Sequence, residues 1–263
     1  MKMKQFLNYL LFVMLGLFVA GCQKDNIVLI DPINTEEDDI TNIEFSQTVY
    51  VTYSLRENAS VTGANEDFTV TISGNDVTIV YSGDEYVMYE LSGSTNDGFF
   101  KLYSTKKQCI TLNGVNITNP NGAAINVQGT VLEPNKGKRT FVVVNGDNTL
   151  FDGETYSDTP SGEDEKATFF SEGQLIFSGS GTLSVDATGK SGIASDDYIV
   201  IQSGSINVSV SSNAYYDETD DEYKSPAGIK TNDYFSMKGG SLVISSSGTG
   251  CKGISSDGNG YFS

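Results

Sequence analysis

The chain has no histidine and no tryptophan, only three cysteines and five prolines among 263 residues, and 16 basic residues against 34 acidic ones. Without histidine there is no Ser-His-Asp triad, no His-liganded zinc and no His general base. A net charge of -18 leaves no basic stripe to neutralise phosphates, which excludes nucleic acid as a partner. A phosphate-cradling loop is missing as well, because Gly179-Ser180-Gly181 sits between strand-like runs with no helix to follow. Cys109 and Cys251 fall in strand-like contexts far apart in the chain and read as buried free thiols, not as a disulfide framework.

Long apolar runs are also scarce. The one at the N-terminus, Phe6 to Ala20, follows two lysines and is too short and too early for a stable membrane span, so residues 1–21 read as an export signal. The junction Val19-Ala20-Gly21-Cys22 resembles the lipobox of bacterial lipoproteins, which implies acylation of Cys22 and membrane attachment through that lipid anchor. Gln23-Lys24-Asp25 resembles the short charged signal that places Bacteroidetes lipoproteins on the outer face of the outer membrane, so the expected location is the cell surface, with the periplasmic face as the alternative. Residues 22–44, with the acidic run Glu36-Glu37-Asp38-Asp39 and few aromatics, read as a flexible tether.

What the chain has in abundance is glycine, 28 residues, and a repeat. The string G-I-x-[Ser/Thr]-[Asp/Asn]-[Asp/Gly] occurs at Gly192 to Asp197, Gly228 to Asp233 and Gly253 to Gly258. After the first two copies a second glycine follows 12 residues on, at Gly204 and Gly240. The copies stand 36 and then 25 residues apart, and the polar stretch Asn213 to Lys224 supplies the extra 11. Short apolar alternations such as Ile206-Asn207-Val208-Ser209-Val210 are strands at period two, punctuated by Gly and Ser turns. The same cadence runs through 67–80, 108–118, 140–150 and 168–185. A recurring unit of about 25 residues predicts an all-β, right-handed, single-stranded parallel β-helix solenoid over 45–263. The expectation includes a C-terminus that stops short of its last coils, since no polar cap follows the third copy.

In such a stack, Asp196, Asp197, Asn232, Asp233 and Asp257 would occupy equivalent corners of neighbouring coils, close enough for oxygens to converge on calcium. The alternative is that they cap turns by accepting backbone N–H bonds. The acidic insertion Asp217 to Glu222 lacks EF-hand spacing and reads as a solvated loop. Tyr215, Tyr216 and Tyr223 in that insertion are candidate sugar-stacking residues, whereas Tyr198 and Tyr234 recur after the Asp pairs and fit a ladder between coils.

The lipobox, the stretches Leu112 to Ile125 and Phe169 to Gly181, and Gly192 to Asp197 together resemble the carbohydrate-binding β-helix family that includes a clostridial cellulose- and acid-sugar-binding protein. The resemblance covers about 61–263 and implies calcium sites and polysaccharide as ligand. It also implies kinship with pectate lyases, where clustered Asp residues hold calcium and a lysine abstracts a proton. Asp196-Asp197 is similar to the paired Asp of that calcium site. Lys230 and Lys252 lie near the motif, but Asp-rich surroundings would raise a lysine's pKa and oppose a basic role. The reading is therefore a surface lipoprotein that binds polysaccharide with calcium and is not an enzyme. A structural adhesin and a calcium-dependent polysaccharide lyase are the alternatives.

Overall fold

The computed structural model describes residues 36–218 and 221–262. The export signal, Cys22 and residues 22–35 of the expected tether lie outside them.

Nearly every described element is a strand. The first part of the chain contributes Gln47–Tyr53 (β1), Ser60–Thr62 (β2), Phe68–Ser73 (β3), Asn75–Tyr81 (β4), Val87–Thr95 (β5), Gly98–Tyr103 (β6) and the 11-residue Gln108–Thr118 (β7). Strands then come in recurring threes. Ile125–Gln128 (β8), Thr140–Asn145 (β9) and Asp147–Phe151 (β10) are followed by Ala167–Ser171 (β11), Leu175–Gly179 (β12) and Thr182–Ala187 (β13). Next come Ser191–Ser195 (β14), Ile199–Ile201 (β15) and Ser205–Val210 (β16), then the inserted pair Tyr215–Asp217 (β17) and Glu222–Lys224 (β18). Ala227–Thr231 (β19), Phe235–Met237 (β20), Ser241–Ser246 (β21), Lys252–Ser256 (β22) and Gly260–Phe262 (β23) complete the set.

The expected single-stranded β-helix solenoid is corrected by the way these strands pair. One 13-stranded, mostly parallel sheet collects strands that a uniform solenoid would keep on separate faces: ten run in the order β21-β16-β13-β10-β7-β9-β12-β15-β20-β23, β5, β1 and β2 branch off in turn from β7, and the sheet curls into a half-barrel. A separate 8-stranded sheet runs β22-β19-β14-β11-β8-β6-β4-β3. The curl turns on β7, whose residues 108–113 pair with β9 while Asn116–Thr118 pair with β10. Gly114, with φ +66°, sits between the two halves and permits the change of direction. Antiparallel pairs β1/β2, β3/β4 and β17/β18 depart further from a uniform coil. Period-two alternation reports strands and their faces; it carries no information on which strands share a sheet.

The repeat itself is visible in the register. Ile193, Ile229 and Ile254 stand opposite one another across β14, β19 and β22. Its glycines are steric: a Cβ on Gly192 would lie 2.2 Å from Val208 Cγ1, and one on Gly228 would lie 2.4 Å from Ile244 Cγ2. The insertion expected to be a loop is the β17/β18 hairpin. A continuous core fills the interior, with Tyr89, Phe100, Phe169, Phe177 and Phe235 fully buried. Cys109 is buried there as a free thiol, its pKa pushed up to about 12 by burial, while Cys251 is half-buried and also free.

Glu36–Asp38 and Ile40–Asn42 form two 3-10 turns within the segment expected as a tether. Asp38 is buried. Its Oδ1 accepts from the Tyr198 hydroxyl at 2.8 Å and lies 2.8 Å from Arg139 Nε, and its carbonyl accepts from Gln202 Nε2 at 2.9 Å. The last residues before β1 are thereby fastened to the sheet.

Candidate functional site

The connection from β10 to β11 builds the site. It is pinned from below by side chains of the 8-stranded sheet. Glu163 is buried and accepts from Lys101 Nζ and from the Tyr103 hydroxyl. Gln128 Nε2 donates to the Asp164 carbonyl at 2.8 Å, and Asn126 Nδ2 to Glu165 Oε1 at 2.8 Å. At the start of the connection, Asp152 accepts from the Thr188 backbone N–H at 2.6 Å and from the Tyr156 hydroxyl at 2.8 Å.

This pinned segment forms one wall of a cleft of about 230 Å³. Lys166, Lys190 and Lys230 line it together with Asp164 and Glu165, and Tyr215, Asp217 and Lys224 of the hairpin stand at its other side. Lys190 Nζ donates to the Glu165 carbonyl and lies 4.5 Å from the centre of the Tyr156 ring. Burial lowers the Lys190 pKa against the pull of Glu165, Asp164 and Asp152. Lys230 departs from the expectation that Asp-rich surroundings raise it: burial, then repulsion from Lys166 and Lys224, hold its pKa below the usual lysine value. Lys166 goes the other way, because hydrogen bonds to Asp164 and Asp196 outweigh the burial that opposes its charge. Lys252 is exposed at the far edge of the sheet and does not line the cleft.

Beside the cleft, Asp164, Glu172 and Asp196 bring one carboxylate oxygen each within 4.8 Å of the others. Lys166 Nζ bridges two of them, 2.8 Å from Asp164 Oδ2 and 2.5 Å from Asp196 Oδ2. Glu172 is buried, and Asp196 Oδ1 is buried without a hydrogen-bond partner. Burial, then the charges of Asp196 and Asp164, push the Glu172 carboxyl up to about 7. Carboxylate oxygens at this separation, with Asp196 Oδ1 lacking a donor, are ligands of the kind that a hard divalent cation takes.

The expected column of acidic corners is present as a backbone stack. The Asp196 N–H donates to the Ser171 carbonyl, that of Asn232 to Ser195, and that of Asp257 to Thr231. Its side chains do not converge as expected. Asn232, Asp233 and Asp257 are exposed, and Asp197 accepts from Gln174 Nε2. Asp196 alone joins the acidic group, with Glu172 one strand earlier in the same column and Asp164 from the connection. Glu172 was legible in principle: Ser171-Glu172 precedes β12 as Ser195-Asp196 precedes β15, an offset hidden because Glu is not Asp. Asp164 carries no such signal, since only folding brings its loop there.

The hairpin tyrosines are exposed, Tyr223 at 77 %. The Tyr216 and Tyr223 rings meet edge to face at 5.1 Å, and Tyr216 donates to Asp221. Tyr198 and Tyr234 stack at 4.4 Å with 10° between their planes, as a ladder between strands requires, and Tyr261 continues the row.

Three comparisons bear on this arrangement. The family of carbohydrate-binding domain-containing proteins matches residues 73–262. A carbohydrate-binding domain-containing protein of Acetivibrio thermocellus is 32 % identical over 127 residues, covering 46 % of this chain, and the match spans 42 % of that relative's length. A solved polysaccharide lyase-like protein from C. thermocellum superposes with a TM-score of 0.53 at 20 % identity, over 82 % of this chain and 96 % of that one, a likeness of fold alone. With the family match running over most of the described residues, the chain belongs to the carbohydrate-binding domain-containing family.

Proposed function

We propose that the protein is an outer-membrane lipoprotein, anchored by acylated Cys22 at the surface of a Bacteroidetes cell, that binds polysaccharide in the cleft between the β10–β11 connection and the β17/β18 hairpin. The observation that carries this reading is the juxtaposition of exposed tyrosines, a lysine-lined cleft and an acidic cluster in which Asp196 Oδ1 is unpartnered. Tyr215, Tyr216 and Tyr223 offer faces on which sugar C–H groups pack, and the lysines offer charge to acidic sugars. Asp164, Glu172 and Asp196 fit calcium by their chemistry. The ion would neutralise the buried carboxylates and hold the connection beside the cleft.

The test is retention of the protein, without its acyl anchor, on insoluble cellulose and on immobilised polygalacturonate, with calcium and with chelator. Calcium-dependent retention that weakens in Glu172→Gln supports the reading. No retention on either matrix would favour a structural adhesin.

Lys230 supports a second reading. A half-buried amine of lowered pKa lining the cleft has the properties of a general base. In β-elimination it would take the proton next to a uronate carboxylate; the electron pair would form the sugar double bond as the glycosidic C–O bond breaks, and the leaving oxygen would be protonated by water. Unsaturated products that appear with polygalacturonate and vanish in Lys230→Ala would establish it.

A further inference from the structure

A second cleft of about 310 Å³ lies against the same β10–β11 connection, lined by Asp76, Asp97 and Phe99 and by the turn through Asn121 and Gly122. It meets the first cleft at Thr159 and Glu165, which line both. The two clefts also share one sheet. Asp76 and Phe99 come from β4 and β6, whereas Lys166 precedes β11, Ser191 opens β14 and Lys230 lies in β19. In the 8-stranded sheet those strands are consecutive neighbours, β4-β6-β8-β11-β14-β19. Five inter-strand steps of about 4.8 Å give the combined groove a length of roughly 24 Å.

We propose that the two clefts form one groove that takes an internal stretch of a linear polysaccharide, several sugars long, lying across the strands. This rests on the carbohydrate-binding reading and specifies the ligand as an extended chain, not a single sugar or a chain end. The chemistry changes along the groove while remaining suited to sugars. Phe99, half-buried, presents an apolar face at one end, beside carboxylates that accept bonds from sugar hydroxyls. Lysines line the other end. The segment that lines both clefts is rigid, because Glu163 is tied to Lys101 and Tyr103 and the Thr159 hydroxyl donates to the Glu163 carbonyl at 3.1 Å. A wall fixed in this way presents both clefts together without ordering on binding, which lowers the cost of engaging a long ligand.

The test is calorimetric titration of the full chain with oligogalacturonates and cello-oligosaccharides of two, four and six units, in calcium. In whichever series binds, affinity should rise at least about tenfold from dimer to hexamer. Phe99→Ala and the milder Asp97→Asn should each weaken the hexamer by a clearly larger factor than the dimer, with circular dichroism confirming that both variants fold. Lys230→Ala should weaken both. Equal affinity for dimer and hexamer, or a Phe99→Ala effect of the same size on each, would overturn the groove and leave carbohydrate binding standing. No binding of any oligomer in either series would overturn both.

Discussion

Glu163 and Glu172 lie close in the chain, are nearly equally buried at 7 % and 8 % exposure, and are treated in opposite ways. Glu163 receives an ammonium and a phenol; Glu172 has no ion pair of its own and sits beside two further carboxylates, Asp164 and Asp196. A buried charge that is paired on all sides serves the fold, because removing it strands its partner. A buried charge set among like charges costs the fold stability, a cost that an incoming cation would relieve. The difference separates architecture from site within one segment of chain.

The strongest way to break this comparison is to delete the paired member. Glu163→Ala leaves Lys101 buried without its counter-charge and Tyr103 without its acceptor, and should destabilise the protein by about 3–5 kcal/mol in urea unfolding. A loss below about 1 kcal/mol would mean that Lys101 escapes to solvent and that the connection is not pinned. Asp38 is a second paired case, with Arg139 and Tyr198 as partners. Asp38→Ala should cost about 2–3 kcal/mol, in keeping with loss of charged hydrogen bonds in a buried setting. A null result there would show that Glu36–Asn42 contributes no docking energy.

The unpaired member should respond with the opposite sign. The folded-state pKa of Glu172 is raised to about 7, so the native state holds that proton more tightly than the unfolded chain does. The contribution to stability is retained below the unfolded carboxyl value of about 4.3 and lost as pH rises through about 7. In chelator at pH 8, Glu172→Gln should therefore be more stable than the parent by about 1 kcal/mol, with the gap closing below about pH 5. Calcium should reverse the order by raising the melting temperature of the parent and not of the variant. If the variant is destabilised in chelator at every pH, Glu172 has a structural partner and the contrast with Glu163 fails.

The contrast also shows what the sequence carries and what it does not. Strands, glycine turns and the stacking of the three motif copies are legible because each depends on neighbours in the chain: alternation sets faces, and Gly192 and Gly228 leave room for the side chains of Val208 and Ile244. The free thiol of Cys109 and the Tyr198–Tyr234 ladder follow from the same local logic. Sheet membership is not local. Whether β7 feeds one set of partners or two depends on a change of direction at Gly114 and on strands 21 or more residues away, so the expected solenoid gave way to a long curled sheet beside a shorter one. The acidic site lies between these cases. Asp196 and the column it belongs to follow from the repeat, but Asp164 arrives on a connection whose path is set by Lys101, Tyr103, Asn126 and Gln128, and no spacing rule reaches that far.

The smallest expected effect on stability falls on the hairpin, where the comparison becomes one between folding and binding. Tyr223 is the most exposed of the three hairpin tyrosines, and its ring contact with Tyr216 is made at the surface. Tyr223→Ala should leave unfolding free energy within about 0.5 kcal/mol, as for surface substitutions away from caps and cores. Retention on the polysaccharide matrix should fall about tenfold if the ring is a stacking platform, since truncation of an aromatic anchor removes contact area that water cannot replace. Tyr223→Phe keeps the face and loses the hydroxyl, and should retain most of the binding. A Tyr223→Ala protein that melts normally and binds normally would move the contact surface off the hairpin and onto the lysine-lined wall. The carboxylates and lysines of the cleft would then be left to recognise the glycan by charge and hydrogen bonds alone.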